Sequence, residues 1–416
     1  MADIMEECCT CHHEMISSGQ LYLGRHQGSE MHRTKRMLKS GMVCTWKYQI
    51  REPELPDVSK PLNLWRIKKG KEFRVNLDVP VNRVFDCFNF HRPSVALLVL
   101  RLNVLCFFRD SVSGEDIISI TFLSGGTGTP KLLRGARLLI DDTDIAVIVN
   151  TGEDLWYQGG HISPDIDTVL YLFGGILNTD TWWGITGDTF VTHDQLSSLG
   201  EDTYLAVGDR DRATELLRAE LIRKGMSLTD ATRELCRRLS VHTAVIPMTD
   251  QEYTTMIRTP EGIIHFQEYW VKHRGQVPIL EVLRMPPYVP DAAKSALDAI
   301  RRSEMVIIGP SNPVTSILPI LECKGIIEAI RQKPTVAVSP FIGDQPVSGP
   351  ARELMIAKSL EPTSAGVYAA YADIIDLFIQ DIRDPVEVPG ALRCDTLMTG
   401  PEVARDIIDL ILKKMR

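Results

Sequence analysis

A β-branched apolar run, Ile117-Ile118-Ser119-Ile120-Thr121-Phe122-Leu123, opens directly into Ser124-Gly125-Gly126-Thr127-Gly128-Thr129-Pro130-Lys131. No other feature constrains the chain as much. The run predicts a buried strand. Glycine tolerates positive φ and lets a ligand come close to the backbone. Thr129 is placed to cap a helix and Pro130 to take its first position, where a missing N–H costs nothing. A strand that feeds a glycine turn and a helix N-terminus suits a phosphate group at the head of a parallel sheet. The spacing excludes two familiar versions of that device. Gly-Lys-Ser/Thr is absent, so this is no Walker loop. The glycines at 125, 126, 128 and 135 do not follow Gly-x-Gly-x-x-Gly. On the loop alone, a purely structural tight turn is the competing reading.

A second apolar strand, Ile145 to Val149, ends in Asn150-Thr151-Gly152-Glu153-Asp154, and Ile162-Ser163-Pro164-Asp165-Ile166-Asp167 follows. Four carboxylates therefore stand close after the carboxyl end of a strand, the edge where open α/β sheets place ligands. Such oxygens suit Mg²⁺, which keeps several waters and bridges protein to substrate phosphates. A carboxylate there can also orient or deprotonate an attacking hydroxyl. The plainer role for Asp165 or Asp167 is to cap the helix through Val169–Leu172. His161, a lone loop histidine, is more often structural than catalytic.

Beyond these, Asp209 reads as the N-cap of a helix to Lys224, with Arg210 free to hold phosphate or pair with an acid. Ser227 to Arg238 reads as a helix, and Thr254 to Trp270 as a hairpin about Pro260-Glu261-Gly262. Phe266, Tyr269 and Trp270 more commonly pack on a sheet than cover a flat ring. The strand Met305–Ile308 runs into Gly309-Pro310-Ser311-Asn312-Pro313, and Thr335–Val338 into Ser339-Pro340; a further strand is expected at Ile374–Ile379. Ser311, Asn312 and Ser339 then share a sheet edge with the glycine loop, where Asn312 can meet a base edge or a phosphate. Short strands alternating with amphipathic helices make an α/β fold.

Composition changes near residue 116. Residues 1–116 hold six of the nine cysteines and carry 17 Lys and Arg against 14 Asp and Glu; the remainder has 29 against 40. The first part shows no sustained period, and a disordered extension or an incorrectly assigned start is expected, with Val112 as a candidate initiator. Cys8, Cys9, Cys11, His12 and His13 lack a second ligand pair at zinc spacing. The basic run Arg66 to Arg74 reads as a solvated surface. A net charge of -8 argues against a nucleic-acid or anionic-membrane binder. Scattered cysteines and an acidic N-terminus imply a cytoplasmic protein. The apolar run Val95–Phe108 is broken by Arg101 and too short to span a membrane.

Several long motifs in order resemble the 2-phospho-L-lactate transferase family, the CofD-like enzymes of coenzyme F-420 biosynthesis. They are Ser-Gly-Gly-Thr-Gly-Thr-Pro-Lys-Leu-Leu (124–133), Val-Asn-Thr-Gly-Glu-Asp-Leu-Trp (149–156), Ile-Ser-Pro-Asp-Ile-Asp-Thr-Val-Leu-Tyr (162–171) and Trp-Trp-Gly-Ile (182–185). Gly-Asp-Arg-Asp-Arg-Ala-Thr (208–214), His-Phe-Gln-Glu-Tyr-Trp (265–270), Gly-Pro-Ser-Asn-Pro (309–313) and Asp-Thr-Leu-Met-Thr (395–399) complete the set. The resemblance covers 117–416 and implies a Rossmann-like three-layer sandwich with a mainly parallel sheet. A helical and hairpin insert is expected at about 209–290. It implies a homodimer using Mg²⁺, a guanylyl diphosphate donor (lactyl-2-diphospho-5'-guanosine) and, as acceptor, the ribityl hydroxyl of 7,8-didemethyl-8-hydroxy-5-deazariboflavin (Fo). Lactyl, enolpyruvyl and glyceryl donors stay open.

By the same resemblance Gly125, Gly126, Thr127, Gly128, Thr129, Lys131, Ser311 and Asn312 bind the nucleotide. Asp165 and Asp167, with Asp209 and Arg210, meet the deazaflavin. Glu153, Asp154, Asp165 and Asp167 form the catalytic set, and Glu153, Asp154 and Asp165 the metal set. The alternative is a non-catalytic, nucleotide-sugar-binding regulator of the related gluconeogenesis-factor family.

Overall fold

Seven strands, all parallel, form the centre of the computed structural model. It describes residues 119–343, 345–346 and 349–415, together with four short strands at Arg36–Leu38, Gly41–Val43, Asn63–Lys68 and Lys71–Asn76. The chain divides into two units, Met1–Glu115 and Asp116–Arg416. In the first, the four strands pair antiparallel as two hairpins. The Cys8–His13 group, Val95–Phe108 and Val112 lie outside the described residues.

In the second unit the sheet strands are β1 (Ile120–Ser124), β2 (Ile145–Val149), β3 (Ala244–Pro247), β4 (Met305–Ile308), β5 (Thr335–Val338), β6 (Leu377–Asp381) and β7 (Leu392–Cys394). Their order is β3-β2-β1-β4-β5-β6-β7. The winding direction reverses between β1 and β4, which pair from Ile120 with Met305 to Leu123 with Ile308. That reversal leaves a crevice at the carboxyl ends of the two strands, because the connections leave on opposite sides. β1 runs from Ile120, while Ile117 and Ile118 lie outside the described residues, and β6 begins at Leu377 rather than Ile374.

Alternation along each strand sends side chains to two cores, one on each face of the sheet. Ile120, Phe122, Val147 and Ile307 pack with Leu132 and Leu133 of α1 (Gly128–Ala136), with Val169 and Leu170 of α2 (Pro164–Phe173), and with Ile407, Ile408 and Ile411 near the C-terminus. Leu123, Ile148, Val306 and Ile308 pack on the opposite face with Val314, Ile317 and Ile300. Each such side chain is essentially buried, a contribution of about 1.5–3 kcal/mol apiece. Helices on both faces of a parallel sheet make the expected three-layer α/β sandwich.

Between β2 and β3 run the hairpin Leu155–Tyr157/Gly160–Ile162, α2, the helix Val191–Ser198, α3 (Asp209–Arg223) and α4 (Leu228–Arg238). Ser227 caps α4 by accepting from Asp230 N. Between β3 and β4 a three-stranded antiparallel sheet forms from Thr254–Thr259, Gly262–His265 and Glu281–Met285. The excursion from the central sheet over 209–290 thus comes in two parts, separated by β3. The hairpin about Pro260–Glu261 stops at His265. The chain then winds into a π-type turn, Glu268–Lys272, because Phe266 and Tyr269 turn into the core. Among the described residues no helix is long and apolar enough to cross a membrane.

Candidate active site

The glycine loop departs from the expected capping scheme. α1 starts at Gly128, its N-cap is Thr127, and the Thr127 side chain makes no capping bond. Thr129 lies inside the first turn, and its hydroxyl meets Ser311 Oγ at 2.7 Å. Packing overrides local preference here. A Cβ on Gly128 would sit 1.8 Å from the Pro310 carbonyl oxygen, and one on Gly309 would sit 2.0 Å from Thr129 Oγ1. The loops after β1 and β4 are therefore pressed together, and only glycine fits at their contacts. Ser311 stitches them further: its hydroxyl donates to the Gly125 carbonyl and accepts from Thr129 N at 3.3 Å.

Not all of the loop's amides are free. Gly126, held at a φ of 55°, donates its N–H to Asp165 Oδ1 at 2.6 Å. The N–H groups of Thr127 and Gly128 open α1 without intrahelical acceptors and point the helix dipole at the crevice. An anion here has two amides and a helix N-terminus, fewer donors than a full ring. Asn312 uses its side-chain oxygen to cap the Pro313–Ile317 turn, accepting from Val314 N at 2.9 Å. Its amide nitrogen stays available for a ligand.

Asp165 and Asp167 do not cap α2; Ser163 precedes Pro164 at that position. Asp165 joins three elements: besides Gly126, its Oδ2 accepts from Asn150 Nδ2 at 2.8 Å. Burial pushes its carboxyl up to about 6, while the Asn150 and Gly126 hydrogen bonds act the other way. Glu153 is buried beside it and accepts from Gln267 Nε2 at 2.8 Å. Burial, then the neighbouring Asp165 charge, raises its carboxyl well above the usual range. Asp154 accepts from Ser163 Oγ at 2.7 Å through Oδ2, whereas its Oδ1 is buried with no hydrogen-bond partner. Burial again raises it, assisted by Asp165 and Asp167. His161, on the far side of Ser163 Oγ at 3.3 Å, is pushed down to about 3 by burial and by Arg218, so it is uncharged.

Asp167 faces away from the loop. Arg218 of α3 grips both of its oxygens and also donates to the His161 carbonyl at 2.9 Å. Around that pair lie Asp211, bonded by Tyr171 Oη at 2.6 Å, and Glu215, whose Oε2 is buried without a partner. Asp209 is not the N-cap of α3, a position held by Gly208. Its carboxylate instead caps the helix Val191–Ser198, accepting from Val191 N at 3.0 Å and Thr192 N at 2.9 Å. Asp188 caps α3, accepting from Arg210 N and Asp211 N. The exposed Arg210 guanidinium donates to the Thr186 carbonyl at 3.2 Å. Asp209 and Arg210 thus spend their hydrogen bonds on the surrounding helices and loops rather than on the crevice.

Three residues in the site were missed from sequence: Asn150, Arg218 and Gln267. Asn150 and Gln267 sit inside motifs already singled out, Asn-Thr-Gly-Glu-Asp and His-Phe-Gln-Glu-Tyr-Trp, and that was the available signal. His265 of the latter motif lies 3.3 Å from the Asp154 carbonyl through Nε2, so the segment clasps the Glu153–Asp154 pair from behind. Phe266 and Tyr269 are core residues, and Trp270 is partly exposed.

Among the described residues no group of three or more His, Cys, Asp or Glu side chains is arranged to hold a metal ion. Mg²⁺ needs no such cage, since one or two carboxylates, waters and substrate phosphates suffice. The unpartnered Asp154 Oδ1 fits that demand; Asp165 has both oxygens engaged, and Glu153 is already held by Gln267. Two surface hollows, one lined by Arg301, Gly325 and Lys333 and one by Arg331, Asp373 and Asp376, contain none of these residues.

Residues 120–388 match the family model described as 2-phospho-L-lactate transferase CofD. The chain is 58% identical over 296 residues to a 2-phospho-L-lactate transferase from Methanospirillum hungatei, covering 71% of this chain and 100% of that protein. It is 51% identical over 292 residues to the protein of that name from Methanocorpusculum labreanum, covering 69% and 96%. A crystal structure of a UPF0052 family protein from Bacillus halodurans overlays with a TM-score of 0.43 at 20% identity, over 64% of this chain and 81% of that one.

Proposed function

Because this chain belongs to the 2-phospho-L-lactate transferase family, we propose that it moves a 2-phospholactate-type group from a guanylyl diphosphate donor to the ribityl hydroxyl of Fo, a step of coenzyme F-420 biosynthesis. The observation that supports this most is the bond from Gly126 N to Asp165 Oδ1, which fastens the phosphate loop to the acidic cluster. In this reading a diphosphate seated on Thr127 and Gly128 lies on the side of the loop that Asp165 braces, and Asp154 belongs to the same acidic cluster.

In this reading the Fo hydroxyl attacks the lactyl-bearing phosphorus in line. The new P–O bond forms as the bridge to the guanylyl phosphorus breaks, GMP leaves with the bridging oxygen, and the hydroxyl proton passes to water. The products are GMP and coenzyme F-420 without a glutamate tail. The helix N-terminus and loop amides offset charge on the phosphate oxygens, so positioning and electrostatics carry most of the rate. Asp154 would hold Mg²⁺ through Oδ1, and the ion would neutralise the diphosphate. Asp165, against the loop, and Glu153 beside it are fixed by Asn150 and Gln267. The enzyme works as a cytoplasmic homodimer in this proposal.

Incubation with Fo, Mg²⁺ and the donor tests the reading. GMP release matched by a new phosphodiester on Fo supports it; nucleotide binding with no turnover points to a regulator instead. Running lactyl, enolpyruvyl and glyceryl donors side by side identifies the three-carbon acid.

A further inference from the structure

One turn beyond the glycine loop, Lys131 and Arg134 stand on the same face of α1, since residues three apart are helix neighbours. Both lie against one ring: Lys131 Nζ is 5.3 Å and Arg134 Cζ 5.2 Å from the centroid of Trp182. Neither has a carboxylate partner among the described residues. The next basic residue on the helix contrasts with them, because Arg137 pairs with Asp142 at 2.8 Å. Arg134 Nε is also buried with no hydrogen-bond acceptor. Two adjacent like charges repel, and a buried guanidinium N–H without an acceptor is costly. Burial, then Arg134, holds the Lys131 amine below its usual range. The feature these groups lack is an anion.

Trp182 is held in place by its loop. It adopts a left-handed backbone with φ 56°, unusual for a bulky residue. The loop that carries it is closed by the Leu177–Ile185 bridge and by Trp182 N donating to Asn178 O at 2.9 Å. Trp183 anchors the same loop by donating Nε1–H to the Ala206 carbonyl at 3.2 Å. An aromatic face attracts cations and holds their charged ends in place while leaving their hydrogen-bond donors free.

We propose that Lys131, Arg134 and Trp182 form an anion subsite that takes a carboxylate or phosphate group of the donor. Trp182 is the positioning residue; the two cations make the contact. The inference rests on the transferase reading above, and it adds Arg134 and Trp182 to the machinery. A planar guanidinium can accept either anion in a two-point contact, so the chemistry is shared between the three-carbon acid and the diphosphate.

Calorimetric titration of the full chain with GDP, and separately with 2-phospholactate, separates the two sources. Arg134→Gln and Lys131→Gln are each expected to weaken at least one probe by 10-fold or more, on the order of 1.4 kcal/mol, with the thermal midpoint kept. A loss confined to 2-phospholactate assigns the carboxylate end, and a loss confined to GDP the diphosphate end. Trp182→Phe should retain most of the affinity, and Trp182→Leu should lose it. Should Arg134→Gln fold poorly, Arg134→Lys keeps the charge, removes the fork and should weaken the same probe. Affinities within twofold of the parent for every variant would overturn the subsite. GMP release by the unmodified chain tests the transferase reading separately.

Discussion

Asp165 and Gly126 are 39 residues apart in sequence, yet the carboxylate of one accepts the backbone N–H of the other at 2.6 Å. Through that bond an acid at the start of α2 sets the shape of the loop after β1. Asp165→Asn keeps one acceptor but turns an NH₂ group toward the donor Asn150 Nδ2. The variant should lose about 1–3 kcal/mol of stability and most of its turnover while remaining folded at 25 °C. Urea unfolding and initial rates measure both; parent-like values in each would remove Asp165 from the site.

The Arg218–Asp167 pair is buried on both sides. Removing one partner strands the other charge, so Arg218→Met should destabilise by about 3–5 kcal/mol. Adding Asp167→Leu should restore part of that loss. A double variant no better than the single one would mean that Asp167 is not the charge left stranded.

Two glycines in one loop should respond to alanine for different reasons. Gly126→Ala makes only an ordinary van der Waals contact, with Ser316 Oγ 3.5 Å away, and suffers from its positive φ, about 1–2 kcal/mol. Gly128→Ala drives a methyl into the Pro310 carbonyl and must separate the β1 and β4 loops. It should cost more stability than Gly126→Ala and raise the KM for the donor several-fold. Equal effects would argue against the pressed-loop geometry.

Glu215 is pushed up to about 9 by burial and by the Asp211 and Asp167 carboxylates; Asp211 is pushed up to about 7 by burial and Asp167. Arg218 and Arg212 oppose the rise at Glu215 without cancelling it. From pH ~4 upward the unfolded chain has released protons that the folded chain keeps. Stability therefore falls as pH rises, through about 7 for Asp211 and about 9 for Glu215, by up to about 1.4 kcal/mol per pH unit for each group. Glu215→Gln should flatten the upper part of that slope and be more stable than the parent near pH 9. Thermal midpoints from pH 5 to 9 decide it, and parallel curves would refute the assignment.

Chelation should stop turnover without unfolding the chain, and added Mg²⁺ should restore it. Asp154→Asn should then require a much higher Mg²⁺ concentration for half-maximal rate. An unchanged Mg²⁺ dependence would leave Asp154 without the role given to it.

Short-range patterns were the readable part of this chain. β-branched apolar runs located five of the seven sheet strands, because a strand buried on both faces has to be continuously apolar; the short edge strands Ala244–Pro247 and Leu392–Cys394 went unread. The glycine loop and the acidic pair were visible as motifs after strand ends. What escaped was every partner set by the fold: Asn150 with Asp165, Gln267 with Glu153, Arg218 with Asp167. Thr129 reads locally as a cap, but packing against Pro310 draws Gly128 into the helix. Asp209 reads as the cap of its own helix, whereas Asp188, far upstream, takes that place and frees Asp209 to cap another. The antiparallel strand Glu281–Met285 went unseen for the same reason, since it has meaning only beside Thr254–Thr259.

The hydroxyls of Thr129 and Ser311 meet across 182 residues of chain. During synthesis, therefore, the nascent N-terminal half carries every letter of the glycine motif but not its shape. Closing so large a loop is slow, and until β4 docks beside β1 the turn lacks the Pro310 carbonyl and Ser311 hydroxyl that fix it. A fragment ending before Met305 should therefore bind GDP poorly, and affinity should return when residues 305–416 are supplied in trans.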